Sequence, residues 1–138
     1  WLNDFFGKKK TNDKDIHILM NFAMCATYDP DPTAFMGVRL PVDLETCEVI
    51  PERWANFMKW DRVVMAETRG AGLKQMKAVY IDCGDVDQYN LLYGARRLHR
   101  LLNRLDVPHS YEEFSDNHSS VDYRMDTSLP FLAKALAG

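Results

Sequence analysis

The most regular pattern of apolar and polar positions lies between Lys77 and His118. Ala78, Val79, Tyr80 and Ile81 form a nearly continuous apolar run, the pattern of a strand covered on both faces, and this predicts a strand over 77–83 stopped by Gly84. Leu91, Ala95, Leu98, Leu102 and Leu105 then recur at helical spacing, which predicts a helix over about 90–105. Its other face carries Arg96, Arg97, Arg100 and Arg104, a set better suited to solvent than to phosphate. Asp106-Val107-Pro108 ends the helix, and Ser110 to Phe114 reads as a second strand. Strand, crossover helix and strand make a βαβ unit, so the two strands are expected to be parallel.

The pattern before this unit is less regular. Asn12 is placed to cap an element over 12–26, with Asp13 and Asp15 in its first turn. Ile16, Leu19, Met20 and Ala23 fit a helix, but Ile18 and Phe22 fill the other faces and leave a buried strand open. His17 lies inside this pattern, where a structural role outweighs a ligand role. The run Lys8-Lys9-Lys10 reads as a solvated loop. Pro30, Pro32 and Pro41 make 27–50 a long irregular segment, with an edge strand or apolar loop around Met36 to Val42. A segment of that length is expected to be a lid, a binding loop or a plain connection. Pro51 is placed as the first residue of a helix with Trp54, Phe57 and Met58 on one face, ended by Trp60-Asp61. A short helix follows over 63–67, and Gly70-Ala71-Gly72 reads as a linker. Beyond His118, Ser119-Ser120-Val121-Asp122 has the spacing of a capping box. Pro130 is expected to break the final helical region, with Ser128 capping its second part.

Composition changes this picture little. Apolar residues make up 46% of the 138 and charged residues 27%, which is globular and not disordered. The formal net charge of −3 provides no basic field for nucleic acid or anionic lipid. No apolar run approaches the roughly 20 residues of a membrane span. Cys25, Cys47 and Cys83 are odd in number and form no C-x-x-C pair, so neither a disulfide framework nor a zinc ribbon is expected. They fit a reducing compartment such as the cytoplasm. The count of strands matters more. Two parallel strands cannot by themselves make a sheet buried on both faces, and the chain opens at Trp1. It is therefore expected to be the C-terminal part of a larger α/β domain. The remaining strands would come from the same protein or from a second chain, and a second copy of this chain is one candidate partner.

The chemistry is concentrated in two loops. Parallel strands open their carboxyl-terminal loops at one rim of the sheet. One loop carries Asp85 and Asp87, and the other carries His118, which lies 31 residues after Asp87. An acid followed by a histidine in this order is the acid and base part of a Ser-His-Asp hydrolase. Asp82 lies within the strand. Asp87, further out, is the better candidate, and Asp85 is the fallback. The same carboxylates could merely cap the helix. Ser110, Ser115, Ser119, Ser120 and Ser128 all lack the flanking glycines of a G-x-S-x-G elbow, so none is a nucleophile by motif. A Cys83 thiol beside His118, or a metal held by Asp85, Asp87 and His118, are the alternatives within the chain.

The segments Tyr80-Ile-Asp-Cys-Gly-Asp-Val-Asp-Gln-Tyr-Asn90, Tyr93-Gly-Ala-Arg96, Tyr111-Glu-Glu-Phe-Ser-Asp-Asn-His-Ser119, Asp122-Tyr-Arg124 and Ser128-Leu-Pro130 resemble the C-terminal half of an esterase family. That family has the α/β-hydrolase fold and includes relatives of esterase D and enterochelin esterase. Leu40-Pro-Val-Asp43, Trp54 and Trp60-Asp61 are more loosely similar to an insertion before its penultimate strand. The resemblance implies an α/β fold in which 1–138 is the C-terminal part of one hydrolase domain. Residues 8–72 would form a cap or lid. Residues 73–138 would supply the last two parallel strands, the crossover and the C-terminal helices. It implies Asp87 as catalytic acid and His118 as catalytic base, with no cofactor or metal, and a small-molecule ester as substrate. The rival outside this class is a non-catalytic hydrolase-like module that binds a partner or a sugar. Arg124 is expected to pair with a carboxylate and hold the His118 loop.

Overall fold

The computed structural model describes residues 1–138, which divide into two compact units, 1–60 and 61–138. The architecture is mixed α/β: helices accompany one small, parallel, two-stranded sheet.

The first unit is helical. Helix α1 spans Leu2–Gly7 and α2 spans Asp13–Tyr28, so the open choice between helix and strand resolves to helix. The deciding local feature is at its start. Asn12 accepts from the Asp15 backbone N–H, and Asp15 accepts from that of Asn12, forming a complete capping box. Lys8 is not simply solvated: it pairs with the buried Asp15 carboxylate. Trp1 stacks on Phe5 and Phe22, and Cys25 is buried. The segment that follows is irregular, with a 3-10 turn at Phe35–Gly37 and a single antiparallel bridge from Val42 to Val49. Helix α3, Pro51–Met58, begins at its proline. Arg53 and Asn56 return from it to Asp29, and Tyr28 packs edge-on to Phe57.

The second unit holds the sheet. Helix α4 spans Arg62–Arg69, with the Asp61 side chain accepting from the Val64 N–H. The stretch read as a linker is instead a 3-10 helix, Gly70–Gln75. Gly70 is buried there because its Cα faces Leu105: a Cβ would come within 2.9 Å of the leucine Cδ1. Strand β1 is Tyr80–Gly84, helix α5 is Leu91–Arg104 and strand β2 is Ser110–Phe114. The strands pair in parallel, with Tyr80 opposite Ser110 and Gly84 opposite Phe114. Gly84 thus belongs to the strand and does not stop it, because its backbone still pairs with β2.

The two sheet faces are covered differently. Tyr111 and Glu113 face α5, where His99 stacks on Tyr111 and Arg96 forks onto Glu113. Tyr80, Asp82, Glu112 and Phe114 face the C-terminal helices. Tyr80 packs against Phe131, and Arg124 bonds Asp82 and Glu112 while lying 4.4 Å over the Phe114 ring. Arg124 therefore ties its 3-10 turn, Asp122–Arg124, to the strands and not to the His118 loop. Leu92, Leu101, Leu102 and Val107 are buried, whereas Leu91 is exposed. The buried stripe of α5 therefore begins at Leu92, and Leu91 instead borders the hollow beside Asp87 and His118.

The end of α5 explains the buried Val107. Its N–H donates to the Leu102 carbonyl and the Asp106 N–H donates to that of Asn103, a complete Schellman motif. Asp106 occupies the left-handed position at φ 51°, where glycine is ordinarily found. Asp106→Gly is expected to raise stability by about 0.5–1 kcal/mol, read as a higher urea midpoint at unchanged m-value.

Two C-terminal expectations fail. Ser119 and Asp122 form no capping box, because Ser120 lies in the left-handed region at φ 57° and the turn that follows begins after Val121, so Ser119 is not at a helix start. Pro130 does not break the final helix, α6, which runs through it from Met125 to Ala137. The proline stands inside the helix, where its missing N–H forfeits a single bond while the turns on either side hold. No helix is long and apolar enough to cross a membrane.

Candidate active site

The rim of the sheet is where the two loops meet, and the cause is local. The Asp85 N–H donates to the Phe114 carbonyl, so pairing continues one residue past β1. The Val86 N–H then donates to the Asp116 carbonyl at 3.2 Å. The backbone of 116–117 lies directly over Gly84, where a Cβ would come within 2.1 Å of the Asp116 oxygen. Glycine is needed here for space, since its φ is not in the left-handed region. This close approach fixes one loop on the other.

On that frame Asp87 Oδ2 lies 2.9 Å from His118 Nδ1. The carboxylate is almost wholly buried, with its side chain 2% exposed, while the His118 side chain is 48% exposed. Asp87 Oδ1 accepts from the backbone N–H groups of Tyr89, at 2.8 Å, and Leu91, at 3.3 Å, at the start of α5. The cap and the histidine contact are therefore compatible: one oxygen serves each. Burial works against ionisation of Asp87. The hydrogen bond from His118 and the two backbone N–H groups outweigh it, and the carboxyl is held below its ordinary value.

A carboxylate can only accept, so Nδ1 of His118 carries the proton and donates to Asp87. In the neutral ring Nε2 is then the free lone pair, and it makes no hydrogen bond within the chain. Tyr89 sits edge-on to the imidazole at 5.0 Å. Beside the pair is a small hollow of about 230 Å³, bounded by Asp87, Leu91, Phe114 and His118. A carboxylate-oriented imidazole with an open Nε2 can remove a proton from a hydroxyl and return it to a leaving group.

The other candidates sit differently. Asp85 accepts from the Ser115 hydroxyl at 3.0 Å, joining the two loops on their outer side, and Asp87 makes the bond to the imidazole. Cys83 is buried, and its thiol is pushed up from the ordinary value by burial first and then by the carboxylates of Asp87, Asp82 and Glu113. It is a poor thiolate. No group of three or more His, Cys, Asp and Glu is arranged to hold a metal ion, so Asp85, Asp87 and His118 do not form a ligand set.

Two further histidines, which carry no motif in the sequence, meet away from this site. His109 Nδ1–H donates to the Val107 carbonyl, His99 Nδ1–H donates to His109 Nε2 at 2.8 Å, and Asn103 donates to His99 Nε2. Every ring nitrogen is engaged, which makes the pair a structural link between α5 and the start of β2. Only the packing of helix on sheet brings these residues together, so no sequence signal announces them. Gln88 likewise stands outside any motif. Its Oε1 accepts from the His118 backbone N–H at 2.9 Å. Its position directly after the acid was the available signal.

A hollow of about 900 Å³ lies in the first unit among Phe22, Phe35, Val38, Leu40, Val42 and Ile50, and no histidine, cysteine or serine lines it. A scan of the chain against protein-family models matches none, and a search among curated proteins returns no significant match.

Proposed function

We propose that this chain supplies the acid and base of a Ser-His-Asp esterase of the α/β-hydrolase type. The observation that carries the reading is the pairing of buried Asp87 with half-exposed His118, which leaves Nε2 free. His118 takes the proton of a serine hydroxyl as it attacks an ester carbonyl. It then delivers that proton to the departing alkoxide. Asp87 holds the tautomer and stabilises the imidazolium between the two steps. Deacylation repeats the sequence with water as nucleophile. The substrate is a small-molecule ester.

The serine and its oxyanion donors come from a further segment of the same protein or from a second chain, because no serine here has the elbow motif. The free outer edge of β1 is the place for that segment's strand, since a two-stranded sheet leaves one edge of each strand unpaired. In this arrangement residues 8–72 belong to the cap.

The test uses the full-length protein, or this chain with the partner that co-purifies. Hydrolysis of p-nitrophenyl acetate and covalent labelling by a fluorophosphonate probe are both expected. Absence of both from an assembly whose upstream sequence also lacks an elbow serine would instead identify a hydrolase-like binding module.

A further inference from the structure

The bond between Asp87 and His118 fixes one point of the imidazole and leaves the ring free to swing about it. A second point is held by Gln88. Its Oε1 accepts from the backbone N–H of His118 at 2.9 Å, and its Nε2 donates to Ser119 Oγ at 3.3 Å. The direction of the amide is set by chemistry, since a backbone N–H can only donate and must meet the oxygen. One exposed side chain thus reaches from the Asp87 loop to two successive residues of the His118 loop. The contact to the His118 N–H needs only an acceptor, which a lysine lacks and an alanine cannot reach with.

We infer that Gln88 is the positioning residue for His118, clamping the histidine's main chain so that the ring keeps both its bond to Asp87 and the aim of Nε2. This rests on the esterase reading only for its catalytic consequence. The geometry beneath it is independent: Asp87 and Gln88 are neighbours, and they grip the side chain and the backbone of the same residue. A displacement of about 1 Å in a general base costs on the order of 100-fold in rate.

The experiment compares Gln88→Ala and Gln88→Glu in the full-length protein, with two readouts. The first is the downfield proton resonance of His118 Nδ1, identified by its loss in His118→Ala. The second is kcat and KM for a p-nitrophenyl ester. Gln88→Ala is expected to broaden the resonance and to lower kcat about 10- to 100-fold, with KM changed less than about 3-fold. Gln88→Glu keeps an acceptor for the His118 N–H and is expected to restore the resonance and most of kcat. A Gln88→Ala protein with a sharp resonance and wild-type kcat overturns the inference. So does a Gln88→Glu protein no better than Gln88→Ala, or loss of the strand amide signals in both variants. If the wild-type protein turns over no ester, the esterase reading fails alone, and the resonance decides the role of Gln88.

Discussion

His118→Ala in the full-length protein is expected to lower kcat for a p-nitrophenyl ester about 10⁴-fold or more, with its thermal midpoint within about 3 °C of wild type. The rate effect follows from the loss of the group that carries the proton in both half-reactions. The small stability effect follows from exposure. About half of the His118 side chain already faces solvent, so its removal opens no core cavity. Asp87 keeps its two backbone donors and does not become a bare buried charge. Asp87→Asn tests the same pair from the other side. An amide can present its N–H to Nδ1 and favour the wrong tautomer, leaving the proton on Nε2, so a loss of about 10²- to 10⁴-fold is expected. Steady-state kinetics and calorimetry on the two variants check both statements. Either variant keeping more than about a tenth of wild-type kcat would remove the triad assignment.

Gly84→Ala is expected to destabilise the protein by about 3 kcal/mol and to lower kcat beyond what unfolding explains. A Cβ at this position would lie 2.1 Å from the Asp116 oxygen, 2.8 Å from the Asp116 carbonyl carbon and 2.9 Å from the Asn117 oxygen. All three are backbone atoms, so no side-chain rotation relieves the clash, and the loop itself must lift. Lifting it strains the bond from the Val86 N–H to the Asp116 carbonyl and carries His118, two residues on, away from Asp87. The measurements are the urea midpoint and kcat well below the melting transition. An alanine variant with a wild-type midpoint would show that the two loops are not packed as described.

The range of each interaction decides whether it is legible in the sequence. Local signals were readable. The Asn12 cap, with Asp13 and Asp15 in the first turn, and the proline at the head of α3 each involve residues within one helical turn, so the letters state them directly, whereas the reciprocal Asp15 bond that completes a capping box is seen only in the structure. The strand–helix–strand order was readable for the same reason: period and punctuation are local, and parallel pairing follows from the length of the crossover. The misreadings have the opposite origin. Ser119 to Asp122 has capping-box spacing, but the chain turns through a left-handed Ser120 as the loop packs on its neighbour, and the helical turn starts only at Asp122. Gly84 looks like a terminator, and Gly70 like a flexible link. Each instead makes room for a neighbour distant in sequence, Asp116 for one and Leu105 for the other.

The sequence by itself determined that the chain is mixed α/β, that its strands are joined by a helix, and that an acid and a histidine lie in the loops beyond them. It did so because secondary structure and loop order are written in spacings of a few residues. The sequence already favoured Asp87 over Asp85; the tertiary structure alone decided that one Asp87 oxygen caps α5 while the other bonds the ring, that Asp85 turns to Ser115, and that Gln88 holds the histidine's backbone. Those choices depend on differences of a few ångströms between adjacent carboxylates. Such differences are set by how closely one backbone lies on another at Gly84, a distance that no pattern of residue types encodes.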